Sequence, residues 1–465
     1  MPGSVPPRTT PHTVPRSRTE PQPARNEHSM ERLRAYLGTT YGAEFVNWLR
    51  ARPQLVDRAL IPGLLGVLAW YVYAWINHGQ KQNLDYFVPL ANAFLHGQLG
   101  LSQSGSGLNE LIPATNGLFY VVYPPAPAIV LMPLVALFGP AFHQEWASFF
   151  LAAVNVALVA LVLHRVGVRR PVRILLTLVY AFGTIVWYSA EIGSSWHFAH
   201  VVATLFLLLA IAGCLWDAPA PLIGVAFAGA AMSRLPVAMA FPFFLAYFAD
   251  RAVRSEAGGG TPFGHLGGGL ATFRRPPIRG FLRLVIPFGA AAALPLAFYL
   301  AYDVARFGSP FENGYALIPG LLAEQQYQYG FFSIHSIPRQ MYAMFLNMPV
   351  QVADFPWVRP RILGGLSILF TTPLFVWSVR ARVRDWFTIG SWVSVALILV
   401  PVLTHADPGG EQFGYRYAQD IYPFLMLLTV HGLRGRISFE AALAIVLGFV
   451  VAAWGIAIVY TNGWA

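Results

Sequence analysis

Trp146-Ala-Ser-Phe-Phe-Leu-Ala-Ala-Val-Asn-Val-Ala-Leu-Val-Ala-Leu-Val-Leu163 decides how this chain is read. No Asp, Glu, Lys or Arg interrupts the stretch, although Glu145 precedes it and Arg165, Arg169, Arg170 and Arg173 follow it. An apolar run of this length, wound at about 1.5 Å per residue, matches a hydrocarbon core of about 30 Å. In lipid every backbone amide needs a partner within its own segment, so the run is a helix rather than a strand of an open sheet. Leu60–Ile76, His200–Trp216, Leu284–Tyr302 and Ala441–Tyr460 read the same way.

Composition agrees. Of 465 residues, 56% are hydrophobic and 11% charged, whereas a soluble domain carries about a quarter charged residues. The expected fold is all-α, a polytopic integral membrane protein. The net charge of +10 fits cytoplasmic arginines facing anionic headgroups better than it fits nucleic acid, so no nucleic-acid partner is expected. Cys214 is the only cysteine, which excludes an intrachain disulfide and a cysteine-based zinc site.

The arginines set the direction. They cluster in the first 58 residues, at 165–173, at 251–283, at 380–384 and at 434–436. Placing every cluster in the cytoplasm requires an even number of spans between them. About eleven spans satisfy this: 60–76, 146–164, 174–190, 198–216, 221–234, 235–249, 284–302, 362–379, 387–403, 421–433 and 438–460. The N-terminus is then cytoplasmic and the C-terminus extracytoplasmic, in the cell (inner) membrane. Residues 1–58 form a basic, largely disordered tail without a cleavable signal peptide, with a short surface helix over 31–55, and 59–465 form the membrane domain. Extracytoplasmic loops fall at 77–145, 303–361 and 405–420. Ala126–Phe138 is apolar but short and carries Pro127 and Pro133. It reads as a juxtamembrane or re-entrant helix in the first outer loop.

Chemistry gathers in those loops. In the segment 82–97, Phe87, Leu90, Ala91, Phe94 and Leu95 fall on one helical face opposite Asn92, His96 and Gln98, an interfacial helix. Asp85 stands before it, either as a general base or as a helix cap. Glu110 is the second acid, able to orient an acceptor or, with Asp85, to hold a divalent cation such as Mg2+ or Mn2+; its bland reading is a solvated loop residue. Tyr120 and Tyr123 precede Pro124-Pro125 and are interfacial anchors or sugar-stacking rings. Arg416, within Gly414-Tyr-Arg-Tyr417, and Arg234, within Met232-Ser-Arg-Leu-Pro236, are outer guanidinia suited to gripping phosphate or to snorkelling. Arg306 is a weaker candidate of the same kind. His197 and His200, at i, i+3, could hold a metal or phosphate, or form part of an interfacial belt. Tyr415 and Tyr417 flank Arg416 as possible substrate contacts. Asp407, Glu411 and Asp420 surround Arg416 and could pair with it, or form structural salt bridges of small value.

An early outer-loop acid, the helix after it and the Tyr123-Pro-Pro125 lead into a short helix ending Leu137-Phe-Gly139 resemble the GT-C superfamily. So do Gly330-Phe-Phe-Ser333, Arg306-Phe-Gly-Ser-Pro310 with Asn313-Gly-Tyr315, and Gln412-Phe-Gly-Tyr-Arg-Tyr417 before Asp420, which look like a bacterial subgroup. These are membrane glycosyltransferases using polyprenyl-phosphate-linked sugars, among them protein O-mannosyltransferases and lipid A aminoarabinose transferases. The likeness implies a single inverting displacement. Asp85 is then the base, helped by Glu110, and Arg416 and Arg234 hold the leaving phosphate. Partners would be membrane lipid, the polyprenyl-phosphate sugar and a glycan, lipid or protein acceptor. The chain departs from the pattern at Tyr86, where relatives often have Glu, at Tyr123, where they have Lys or His, and after Gly139, where an Arg is missing. A transporter or lipid flippase, or a catalytically dead relative, is the alternative. Transporters carry charged or broken helices near mid-membrane, and here the span centres are nearly free of charge.

Overall fold

The computed structural model describes residues 3, 47–78, 84–105, 108–266, 275–353, 357–361, 363–410 and 412–462. The chain divides into two units, residues 1–56 and 57–465. Most of the tail, including the expected surface helix over 31–46, lies outside the described residues. The second unit holds the membrane domain.

The structure is mostly helical, with only two short two-stranded hairpins among the described residues. Seven helices are long and apolar enough to cross a membrane: Pro53–Asn77, Gln144–Arg165, Ser195–Leu215, Leu235–Glu256, Ile278–Phe307, Trp386–Thr404 and Phe439–Ile458. Arg170–Phe182 and Val186–Ile192 form an eighth if their 48° bend belongs to one span. The bend has a local cause. Thr184 Oγ1 donates to Tyr180 O and accepts from the Val186 amide, replacing the regular ladder over one turn.

Three of the eleven expected spans take shorter forms. Ala220–Ala231 and Tyr422–Leu433 are twelve-residue helices, about 18 Å long at 1.5 Å per residue. The segment expected at 362–379 becomes a bridge from Leu366 to Gly414, a turn of helix at Ile368–Thr371 and a 3-10 stretch at Pro373–Arg380. Gly364 and Gly365 adopt positive φ and Pro373 offers no amide, so the apolar composition never becomes one α-helix. Ala126–Phe138 is a thirteen-residue helix with Pro133 inside it, too short to cross by itself.

Small residues let these helices approach closely. A Cβ at Gly224 would overlap the Phe288 carbonyl, and one at Gly432 would overlap the Trp377 carbonyl. The first contact seats Ala220–Ala231 on Ile278–Phe307. The second seats Tyr422–Leu433 on the 3-10 stretch.

Polar groups collect at the two ends of the long helices. Gln144 Nε2 donates to Gly193 O at the start of Gln144–Arg165 and Ser195–Leu215. Arg165 Nε donates to Leu215 O, 2.7 Å, where both helices finish. The two therefore run parallel, and 21 residues of helix separate the ends by about 30 Å. The Trp216 end holds Asp57 paired with Arg170 and Arg173, and Arg254 between Asp217 and Asp250. The Trp196 end holds Glu110, Arg416, Arg234 and Asp420.

Phe87–Leu95 packs more deeply than an interfacial helix. Val88 and Ala93 are buried with Phe87, Leu90 and Ala91 against Phe198 and Val202, whereas Leu95 is exposed. The expected stripe is correct for three of its five residues; the hairpin and Ser195–Leu215 cover a wider face of this helix than lipid on one side would.

Valine at position 432 tests the closest helix contact. Overpacking of this kind costs about 1–3 kcal/mol. Gly432→Val should lower the melting temperature of the detergent-solubilised protein, and unchanged melting would show that the Trp377 backbone does not lie against it.

Candidate functional site

The site is built on four pieces of chain at the Trp196 end. Residues 84–86 lie along the start of Ser195–Leu215: the Ser195 amide donates to Leu84 O and the Tyr86 amide donates to Ser195 Oγ. Tyr86 then sends its ring inward, and its hydroxyl accepts the Asn109 and Glu110 amides at 3.2 and 3.1 Å. The hairpin Leu111–Pro113 with Phe119–Val121, in register Leu111↔Val121, holds the other side of that turn. Glu110 is thus fixed at the mouth of the hairpin.

Trp196 joins the pieces. Its Nε1–H reaches Glu110 Oε2 at 2.9 Å and the Tyr123 hydroxyl. The Arg416 guanidinium lies 5.1 Å from the Trp196 ring and 5.1 Å from the Tyr417 ring, within cation–π range. Arg234 stands 5.5 Å from the same Tyr417 ring. Two guanidinia therefore meet over one aromatic side chain.

The 3-10 turn Arg416–Ile421 explains the pairing. With three residues per turn, i and i+3 eclipse and i+4 is rotated a third of a turn away. Tyr417 and Asp420 thus share a face, and Arg234 meets both: its Nη2 lies 3.2 Å from Asp420 Oδ2. His200 Nδ1 lies 2.8 Å from Asp420 Oδ1. The possible pairing of Asp420 with Arg416 gives way to Arg234, because an α-helical i, i+4 relation does not exist in this turn. Arg416 donates to Gly410 O at 3.0 Å and has no carboxylate within ion-pair distance among the described residues. Glu411 lies outside the described residues.

Electrostatics divide the acids. Burial pushes the Glu110 carboxyl above its ordinary range, and the Trp196 hydrogen bond and Arg416 only partly reverse this. Burial also works against the Asp420 carboxylate, but the charge of Arg234 and the contact with His200 outweigh it, leaving Asp420 below the usual value. One acid is poised to accept a proton and the other is held as an anion.

Other expected residues take different places. Asp85 Oδ1 accepts the Val88 amide at 3.1 Å, the capping arrangement. Tyr120 is buried, with its hydroxyl accepting from Asn116 and its ring edge-on to Phe307, and Tyr415 is buried with its hydroxyl donating to Gln340. Both brace the loops rather than offering a face to substrate. His197 is buried, its Nδ1 on Ser194 Oγ and its ring against Tyr188. Arg306 pairs with Asp303 at 2.6 Å, bonds Val121 O and lies between Tyr302 and Phe307; it is a strut between helix and hairpin, not a phosphate ligand. No group of three or more His, Cys, Asp or Glu that could hold a metal occurs among the described residues. Asp85 and Glu110 each have an oxygen committed to a protein donor.

Trp196 was not singled out as a site residue by the sequence. The signal that could have found it is an indole at the first turn of a span, next to the two histidines. No family model, curated protein or solved structure matches the chain.

Asp420 keeps two groups company in a site that is only 1% exposed. Removing one partner of such a buried pair costs about 3–5 kcal/mol. Asp420→Asn should therefore lower unfolding stability in detergent by that order. A loss of under about 0.5 kcal/mol, typical of an uninvolved surface position, would contradict the arrangement.

Proposed function

We propose that the chain is a glycosyltransferase of GT-C type, moving a sugar from a polyprenyl-phosphate donor to an acceptor hydroxyl at the extracytoplasmic face of the cell membrane. The observation that carries this reading is the meeting of Arg416 and Arg234 over Tyr417, with Glu110 one indole away. A leaving phosphate needs preorganised positive charge in a low-dielectric place, and a nearby carboxylate of raised pKa suits general-base work.

Arg416 is the primary phosphate group, because no described carboxylate neutralises it. Arg234, anchored by Asp420, supplies the second donor set. The acceptor oxygen forms a bond to the anomeric carbon while the carbon–phosphate-oxygen bond breaks. The electron pair leaves with polyprenyl phosphate, and the acceptor proton passes to Glu110. In this reading Glu110 takes the role first given to Asp85, which serves as a helix cap. Half-buried Tyr417 is the ring left to face a sugar, since Tyr123 is buried against Tyr86, Phe87 and Tyr315. Each short element, at 221–234, 362–379 and 421–433, counts as a crossing in this proposal. That gives eleven passes, with the N-terminus cytoplasmic and the C-terminus outside.

A lipid transporter is the second reading, favoured by the 48° helix break and by the fully buried Glu191 at the far end of Val186–Ile192. Intramembrane carboxylates at broken helices mark transport pathways.

Membranes supplied with polyprenyl-phosphate sugars and assayed for transfer separate these readings. Glu110→Gln should reduce transfer by about 10²–10⁴-fold, the usual worth of a general base. Asp85→Asn should leave the rate within a few-fold and the stability nearly unchanged, since Asn caps a helix as well as Asp, whereas Asp85→Ala should cost about 1 kcal/mol as a lost cap. The reverse pattern would return Asp85 to the role of base. No transfer of any sugar by the wild type, with loss of lipid movement in Glu191→Gln, would favour transport.

The pH profile gives a further check. A general base works only when deprotonated, and burial raises the Glu110 value above the ordinary carboxylate range. The rate should rise with pH through an apparent pKa above 4.5. That limb should vanish in the residual activity of Glu110→Gln; its persistence would exclude Glu110.

A further inference from the structure

At the Trp216 end, away from the Glu110–Arg416 cluster, Arg58, His164, Arg165, Trp216, Pro262 and His265 line a cavity of about 230 Å3. Two guanidinia, two imidazoles and an indole meet there, and no carboxylate joins the lining. The nearest acid in sequence, Asp57, is already engaged by Arg170 at 2.9 Å and by Arg173.

The donors are held rather than loose. Arg165 spends its Nε on Leu215 O at 2.7 Å and lies 5.9 Å from the Trp216 ring, so its two terminal nitrogens have no protein partner among the described residues. Arg173 donates to His164 Nδ1 at 2.7 Å. A guanidinium has no acceptor to offer, so Nδ1 accepts and the His164 proton sits on Nε2, leaving that nitrogen as a donor. The opposite wall is seated by the Leu266 amide on Val166 O at 2.9 Å. His265 packs over Gly167, where φ is +89° and a Cβ would collide with the imidazole. Arg58 is exposed and makes no ion pair or hydrogen bond among the described residues.

Two helices end here, and their C-termini disfavour anions, each with about half a negative charge. Two full guanidinium charges exceed that, and one C-terminal carbonyl is already capped by Arg165. The balance is cationic, with tetrahedrally dispersed donors and an apolar indole wall. Such a setting suits a phosphate better than a flat carboxylate-bearing peptide.

We propose that this cavity binds a phosphate-type anion, supplied either as the headgroup of an acidic phospholipid or as free phosphate, at the end of the molecule opposite the Trp196 cluster. Trp216, 37% exposed at the limit of an apolar helix, makes the lipid source the expected one, since indoles gather at the membrane–water boundary.

The full chain, purified in a neutral detergent, is mixed with phosphatidylglycerol or phosphatidylcholine and examined by native mass spectrometry; in a parallel arm inorganic phosphate is titrated while thermal unfolding is followed. Wild type should retain phosphatidylglycerol and not phosphatidylcholine. Arg58→Gln alone should weaken retention about tenfold, the worth of one charge-assisted contact, and Arg58→Gln/Arg165→Gln should abolish it. Stabilisation of the wild type by inorganic phosphate, lost in both variants while phospholipid retention stays equal, would assign the cavity to free phosphate. Equal phospholipid retention and equal phosphate response in wild type and Arg58→Gln would overturn the site. The single variant keeps this decisive because Arg58 is exposed and bonds no described residue, so folding does not depend on it.

Discussion

A helix that carries no charge over some twenty residues forces its polar partners to its two ends, because an unpaired charge along its length would cost several kcal/mol in an apolar surround. Gln144–Arg165 and Ser195–Leu215 both obey this, and because they run parallel their ends coincide. The charged groups gathered around these helices are sorted by that constraint into a Trp196 end and a Trp216 end, while a neutral side chain such as Asn155, donating to Val201 O, is tolerated along their length. The two ends have different chemistry. The Trp216 end is dominated by arginines that bind aspartates and carbonyls. The Trp196 end mixes buried acids, guanidinia, histidines and aromatic rings over several loops.

Within the Trp196 end, Asp420 and Trp196 are the connectors. Asp420 ties Ser195–Leu215, through His200, to Arg234 in the turn after Ala220–Ala231. Trp196 ties the same helix to the hairpin through Glu110 and to the Arg416 turn through its ring. Elements more than two hundred residues apart in the chain are held together by two side chains that meet on one helix. Buried networks of this kind rigidify where their members are satisfied, as Asp420 is by His200 and Arg234.

How much of this the sequence revealed depends on the range of the interaction. The limits expected at 146–164 and 198–216 lie within three residues of Gln144–Arg165 and Ser195–Leu215, because an uninterrupted apolar run has only one solution in lipid. The segment 362–379 is not one continuous helix, because glycines and Pro373 compete with hydropathy there. Arg234 and Arg416 were legible as rare outer guanidinia, but the pairing of Asp420 with Arg234 was not, since it turns on a 3-10 rather than an α turn. The Glu110–Trp196 bond spans 86 positions and depends on hairpin register, which no local pattern encodes. Asp85 carried two readings that only geometry could separate, and its oxygen lies on a helix amide.

The proposed topology requires that the Trp196 and Trp216 ends face opposite sides of one bilayer. Its most direct measurement is labelling of intact and opened membrane vesicles with an impermeant maleimide, using single cysteines at the exposed positions Gln328 and Ser255 in a Cys214→Ala background. In sealed vesicles of one orientation only one of the two positions should react, and opening the vesicles should expose the other. Reaction of both from the same side would place the two polar ends on one face and contradict it.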